Sequence, residues 1–295
     1  MAELIRDPAL MIGEGWDGYR LLDSGAGRKY ESFGSFRFVR PEPQAMWDPA
    51  LEDWPADGEF VPGADDDGGG RWQIAGGLPN GGWHLERGSA RFVARPTPFR
   101  HLQFFPDMAP VWDWMDAMLS GRTDAEMLNL FGYTGVGSLL LSDHGRVTHV
   151  DASKKSVAQA QKNAELSQMQ NRPIRWLIDD AAKFAGREVR RGRRYDGIIL
   201  DPPKFGRGPK NETWRLEEHL PDLIRDCRRL LDEDSRFLFL TVYAVRMSSL
   251  ALAGLLTDVF DALPGQIEHG DLAVREHSDR GRLLPTAIFA RWSRA

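Results

Sequence analysis

From residue 126 onward, apolar runs of strand length alternate with segments of helical period. The runs are Met127–Phe131, Val147–Val150, Ile174–Ile178, Ile198–Leu200, Phe237–Val242 and Ala287–Ala290. Strands buried on both faces read as continuous apolar runs, and such alternation implies a mostly parallel sheet covered by helices on both faces. The end differs: 251–263 has helical spacing, and two extended segments then close the chain as a terminal antiparallel hairpin. Ahead of the alternation, Met108, Val111, Trp112, Met115, Met118 and Leu119 follow three-and-four spacing, which predicts a bridging helix stopped at Gly121.

The front of the chain follows another pattern. Ser35–Arg40 and Ala90–Arg95 alternate as half-buried strands, and Ala64-Asp65-Asp66-Asp67-Gly68-Gly69-Gly70 reads as a turn or loop. Trp16, Trp47, Trp54, Trp72 and Trp83 are scattered through this region and read as core filling rather than as a binding platform. The expected division is a smaller β-rich accessory, substrate-recognition domain over 1–100 and an α/β domain over 101–295.

Composition excludes some classes. With 42% hydrophobic and 27% charged residues, the chain is neither fibrous nor wholly disordered. No apolar stretch approaches the roughly 18 residues of a membrane helix, and the opening MAELIRDPAL is no signal peptide. A single cysteine rules out an intramolecular disulfide and a cysteine-based zinc cluster, so the cytoplasm is the expected compartment. The histidines show no metal-ligand spacing, and no metal is expected. The net charge of −5 lies in the front hundred residues, with 11 Lys+Arg against 16 Asp+Glu; the remainder balances. That arithmetic neither supports nor excludes a nucleic-acid substrate.

In an open parallel sheet, ligands bind at the carboxyl ends of the strands, near the switch in strand order. After the first run comes Asn129-Leu130-Phe131-Gly132-Tyr133-Thr134-Gly135-Val136-Gly137-Ser138, whose glycines permit a tight turn and close backbone approach to a ligand. After the second comes Asp151, 16 positions past Gly135, where a carboxylate can accept both hydroxyls of a ribose. After the third come Asp179 and Asp180, and after the fourth Asp201-Pro202-Pro203-Lys204-Phe205. Leu140 stands where the dinucleotide fingerprint needs its third glycine, and no phosphate-cradling lysine follows. The four strand ends together suit an adenosine carrying a charged amino acid, S-adenosylmethionine, rather than a pyrophosphate.

On these residues, with His149-Val150-Asp151-Ala152-Ser153, Asn163 and Asp179-Asp180-Ala181, the stretch from about 100 to 293 resembles the class I methyltransferases, specifically the large-subunit ribosomal RNA base methyltransferases. The resemblance implies a doubly wound, mostly parallel seven-stranded sheet. It also implies that Asn129, Phe131, Gly132, Tyr133, Thr134, Gly135 and Gly137 hold the methionine end. Asp151, with Ala152 and Ser153, would take the ribose. Asp180, favoured over Asp179 and followed by Ala181, would take the adenine amino group. The front hundred residues resemble only loosely the accessory domains of such enzymes.

The Asp-Pro-Pro turn is stiff because proline fixes φ and lacks an N–H. Asp201 and the Pro202 carbonyl are candidate acceptors for an exocyclic amine or ring N–H, with Pro203 completing the turn and Phe205 stacking on the base. Lys204, Arg207, Lys210 and Arg215, with Trp214 among them, suit phosphate contacts and base stacking. Arg187, Arg190, Arg191, Arg193 and Arg194 precede the fourth strand and read as a solvated loop away from the cofactor.

One departure from the resemblance matters. The 5-methylcytosine branch attacks the ring with a cysteine after the fifth strand, where this chain has Phe239-Leu240-Thr241-Val242-Tyr243-Ala244. Its one cysteine, Cys227, falls on the apolar stripe Leu220, Leu223, Ile224, Cys227, Leu230 and Leu231, and reads as a small core hydrophobe. Methyl transfer to a ring or exocyclic nitrogen of an RNA base, most naturally ribosomal, is therefore the leading expectation. A protein or small-molecule acceptor, and a cofactor-binding module without turnover, remain the alternatives.

Overall fold

In the computed structural model, residues 2–63, 69–243 and 246–294 are described. Most of the turn expected over 64–70, and Ala244 after the fifth strand, lie outside them. The chain forms two compact units, one of residues 1–11, 111–272 and 287–295, the other of 12–110 and 273–286. The second unit thus takes in a return of the chain, 273–286, that a single cut at residue 100 does not anticipate.

The first unit carries the alternating pattern. Its strands are β1 (Ala125–Leu130), β2 (Gly145–Asp151), β3 (Ile174–Ile178), β4 (Gly197–Leu200), β5 (Phe237–Tyr243), β6 (Gly265–Arg275) and β7 (Leu283–Ser293). They lie in the order β6-β7-β5-β4-β1-β2-β3. The pairs β1–β2, β1–β4, β2–β3 and β4–β5 are parallel, whereas β5–β7 is antiparallel. The seven-stranded core is as expected, but Ala2–Leu4 and Ala9–Gly13 add to β6 and make nine strands. An unpaired β6 would present open N–H and C=O groups, so strands from the chain start complete its ladder.

The helices follow the spacing of their apolar residues: α1 (Ala109–Met118), α2 (Val136–Leu141), α3 (Lys154–Leu166), α4 (Ala181–Arg190), α5 (Leu216–Arg229) and α6 (Ser249–Val259). The α5 stripe, including Leu220, Leu223, Ile224 and Cys227, is fully buried in one core with Leu200 of β4 and Leu240 of β5. Each such side chain contributes about 1.5–3 kcal/mol when withdrawn from water. Among the described residues, no helix is long and apolar enough to cross a membrane.

The second unit contains a five-stranded sheet, Arg20–Gly25, Arg28–Phe33, Phe36–Pro41, Gly58–Pro62 and Gly70–Ile74, and a hairpin of Trp83–Arg87 with Ala90–Ala94. Its five tryptophans serve the fold. The indole N–H of Trp16, Trp47, Trp54, Trp72 and Trp83 donates to Glu86 O, Ser24 O, Asp23 Oδ2, Thr97 O and Phe33 O respectively. Trp83 also stacks on Phe38 at 5.6 Å. Beneath the sheet, Arg40 grips Glu31 with two bonds of 2.6 Å, and the Tyr19 hydroxyl donates to Glu31 at 2.8 Å.

Candidate active site

The register places the chemistry along one rim. Leu130 pairs with both Val150 and Leu200, Leu200 pairs with Leu240, and Asp151 pairs with Ile178. The residues that follow these strand ends therefore share an edge, and β1 beside β4 is the point where strand order reverses. The four motifs do converge.

The loop after β1 is held in an unusual conformation. Phe131 and Tyr133 have φ of 60° and 49°, and Gly135 has 81°. Positive φ costs a non-glycine residue energy that its surroundings must offset. Four bonds supply the bracing. Gly132 N donates to Val150 O at 3.0 Å, and Gly135 N to Gly132 O at 3.0 Å. Tyr133 N donates to Asp151 Oδ2 at 2.9 Å, and Asn163 Nδ2 to Thr134 O at 2.9 Å. The glycines have a reason the sequence did not show. A Cβ on Gly132 would stand 2.5 Å from the His149 ring, and one on Gly135 would stand 2.7 Å from Ala160 Cβ. Neighbouring protein, as well as the turn, demands glycine there.

Asn129 also works beneath the loop rather than at its open side. It is 5% exposed, and its amide donates to Ser138 Oγ at 2.9 Å, which in turn meets His149 Nδ1 at 2.9 Å. Burial pushes the His149 pKa down to about 3, so the ring is neutral and structural. Thr134 and Gly137 are likewise buried.

Asp151 ends β2 with its carboxylate oriented by two backbone donors, Ser153 N at 2.8 Å and Tyr133 N at 2.9 Å. Burial raises its pKa above the ordinary value, against the lowering effect of those two donors. Ala152 is half-buried and Ser153 exposed; Ser153 caps α3 by accepting from Ser156 N. Across the ladder, Ile178 is 45% exposed, an apolar side chain beside the carboxylate.

The two aspartates after β3 are differentiated by their partners. Asp179 Oδ1 accepts from Asp180 N, and Oδ2 is held by Arg187. Asp180 caps α4, its Oδ1 accepting from Lys183 N at 2.9 Å, with Ala181 as the first helical residue. Arg187, grouped by sequence with the remote arginines, thus reaches back to the rim. Arg191 pairs with the buried Glu188 at 2.7 Å and Arg194 approaches Asp232 at 4.0 Å, as befits a solvated turn.

After β4, Asp201 Oδ1 accepts from Thr241 Oγ1 at 2.7 Å, Pro202 is buried, and Pro203 is exposed. The chain then forms a hairpin of its own, Phe205–Arg207 against Thr213–Arg215, with Phe205 opposite Arg215 and Arg207 opposite Thr213. Because side chains alternate across a strand, Phe205, Arg207, Thr213 and Arg215 share the exposed face while Gly206 and Trp214 share the other. Phe205 is 59% exposed, and Lys204 Nζ lies 5.1 Å from its ring centroid. Lys204, Arg207, Lys210 and Arg215 are all exposed. Trp214 requires a correction: it is 5% exposed, so it cannot stack on a substrate base. Its indole N–H donates to Pro203 O at 2.7 Å, and its ring packs 5.1 Å from Phe131.

The fold matches solved structures. A crystal structure of the SAM-dependent methyltransferase from Agrobacterium tumefaciens superposes with a TM-score of 0.94 at 39% identity, covering 100% of this chain and 96% of that one. The chain belongs to the S-adenosylmethionine-dependent methyltransferases. A Streptococcus mutans structure shares the fold at 16% identity, with a TM-score of 0.67 over 93% of this chain and 75% of that one. No protein-family model matches the chain. Among curated relatives, the ribosomal RNA large subunit methyltransferase K/L of Syntrophotalea carbinolica is 29% identical over 160 residues, 53% of this chain and 22% of that protein. The ribosomal RNA large subunit methyltransferase I of an Enterobacter species is 28% identical over 157 residues, 51% of this chain and 37% of that protein. The matches thus span well under half the length of these relatives.

The methyltransferase rim fits its family's cofactor. Asp151 is an acceptor-only group for a diol, Ile178 offers an apolar surface for a purine, and several carboxylates suit a cationic sulfonium. Cys227, by contrast, is fully buried, and burial drives its thiol pKa far up. We therefore expect Cys227→Ser to keep kcat within about threefold. Its expected cost is roughly 1–3 kcal/mol of stability for burying a hydroxyl, read by urea denaturation.

Proposed function

We propose that this methyltransferase acts on a nitrogen of an RNA base, in ribosomal RNA. The observation that carries the reading is the exposed hairpin face, where Phe205 stands among Lys204, Arg207, Lys210 and Arg215 immediately after the Asp-Pro-Pro turn. An aromatic ring surrounded by cations suits a stacked base and its flanking phosphates. The names of the two ribosomal RNA relatives support ribosomal RNA as the acceptor; the choice of nitrogen rests on the burial of Cys227.

S-adenosylmethionine supplies an electrophilic methyl group on a sulfonium. The work of the chain is then positioning. Asp151 takes the ribose hydroxyls, and Asp180, with an oxygen beyond its capping bond, takes the adenine amino group. The loop after β1, from Phe131 to Gly137, encloses the methionine end, with Asn129 bracing it from beneath. On the acceptor side, Asp201 and the Pro202 carbonyl accept hydrogen bonds from the amine or ring N–H. Phe205 stacks on the base and aims a nitrogen lone pair at the methyl. Holding reacting atoms about 3–3.5 Å apart in line provides much of the catalysis in such a displacement. A base inside a helix is out of reach, so the target is single-stranded or flipped out. The β-rich stretch over 1–100 serves substrate recognition in this reading.

The test is transfer of tritiated methyl from S-adenosylmethionine to total RNA from a strain lacking the gene, beside RNA from its parent. Label entering only the deletion-strain RNA is the expected result. Label entering protein or metabolite extracts instead would move the acceptor to another class. Tight cofactor binding without label anywhere would make the chain a binding module.

A further inference from the structure

We infer that Trp214 is a positioning residue that couples cofactor occupancy to the acceptor side of the site. The inference rests on the cofactor reading of the Asn129–Gly137 loop. The hairpin bearing Phe205 and the cations is a two-stranded sheet separate from the central ladder, so its placement depends on other contacts. One is the Lys183–Glu212 ion pair at 2.7 Å, joining it to α4. An ion pair with a solvent-exposed partner of this kind holds little. Another is the backbone bond from Leu216 N to Lys204 O at 3.0 Å, which closes the base of the hairpin upon itself.

Trp214 makes the connection to the donor side. Its N–H holds the Pro203 carbonyl at 2.7 Å, inside the Asp-Pro-Pro turn. Its ring lies 5.1 Å from Phe131 and 5.7 Å from His219 of α5. Phe131 is the first residue beyond β1 and carries φ of 60°, a conformation that persists only where packing holds it. A single buried side chain thus touches the strained start of the donor loop and the turn that carries the acceptor groups. Whatever orders the loop stiffens the turn through it, and by linkage an acceptor that fixes the hairpin tightens the donor in equal measure.

Hydrogen exchange of the full chain, with and without saturating S-adenosylhomocysteine, reads this coupling. In the wild type, amides over 204–216 should exchange at least about tenfold more slowly with ligand, a change worth about 1.4 kcal/mol. Trp214→Phe keeps a ring against Phe131 and removes the donor to Pro203. It should bind S-adenosylhomocysteine within about threefold of wild type by calorimetry, yet lose the ligand-dependent protection. On deletion-strain RNA its kcat should fall by roughly ten- to a hundredfold, the scale of a small misplacement, while its affinity for S-adenosylmethionine measured without RNA holds. Protection retained in the variant, or a wild-type hairpin indifferent to bound ligand, would overturn the inference. The wild-type comparison decides the matter alone if the variant does not fold. A wild type that fails to bind S-adenosylhomocysteine would sink the cofactor reading instead.

Discussion

Replacing Asp151 with Ala should raise the dissociation constant for S-adenosylhomocysteine by about a hundredfold to ten-thousandfold. Hydrogen bonds to a charged group contribute about 1.5–3 kcal/mol each, and a ribose offers two hydroxyls to this carboxylate. The loss is compounded locally, because Asp151 Oδ2 is also the acceptor for Tyr133 N in a loop whose φ of 49° needs holding. The charge matters too. Burial raises the Asp151 pKa above the ordinary carboxylate value, so affinity should decline on acidification earlier than an exposed aspartate would allow. Calorimetric titration from neutral to acidic pH checks both statements. Near-normal affinity in Asp151→Ala would mean that the ribose lies elsewhere.

The largest expected stability effect lies in the second unit. Arg40→Met should cost about 3–5 kcal/mol, since it leaves the fully buried Glu31 carboxylate without its bidentate partner. Burial pushes the Glu31 pKa up, yet the Arg40 guanidinium, with Lys29 and the Tyr19 hydroxyl, holds it below its ordinary value. A folded-state pKa below the unfolded value of about 4.3 stabilises the protein above that pH and ceases to do so as pH falls through the folded value. Without Arg40, burial prevails and the folded-state pKa rises. Glu31 should then lower stability as pH climbs from about 4 toward neutrality, a range over which its wild-type contribution is fully present and constant. Urea denaturation across that range would show the difference between the two slopes; parallel curves would contradict it.

The sequence disclosed the rim because each of its members ends a strand or follows one within two residues. Asp151, Asp179, Asp180 and Asp201 need only the knowledge that strands are parallel to be placed on one edge. Local alternation also carries information in the hairpin after β4. Gly206 and Trp214 lie on one face of their hairpin and Phe205, Arg207 and Arg215 on the other, so period two alone separates the buried ring from the exposed one. Other features required partners distant in the chain. Nothing near Gly132 announces the His149 ring that excludes a side chain there. Nothing near Arg187 marks Asp179 as its partner. The pairing of Ala2–Leu4 with Gly265–Ile267 joins opposite ends of the chain, and no local period encodes it.

The role of Cys227 separates the two chemistries most sharply. Its thiol is sealed inside the core beneath α5, so covalent attack on a pyrimidine ring has no nucleophile there. Nucleoside mass spectrometry of deletion-strain RNA, methylated by the purified protein with deuterated S-adenosylmethionine, addresses this directly. The expected product is a single labelled nucleoside bearing the methyl on nitrogen; label in 5-methylcytidine would contradict the account.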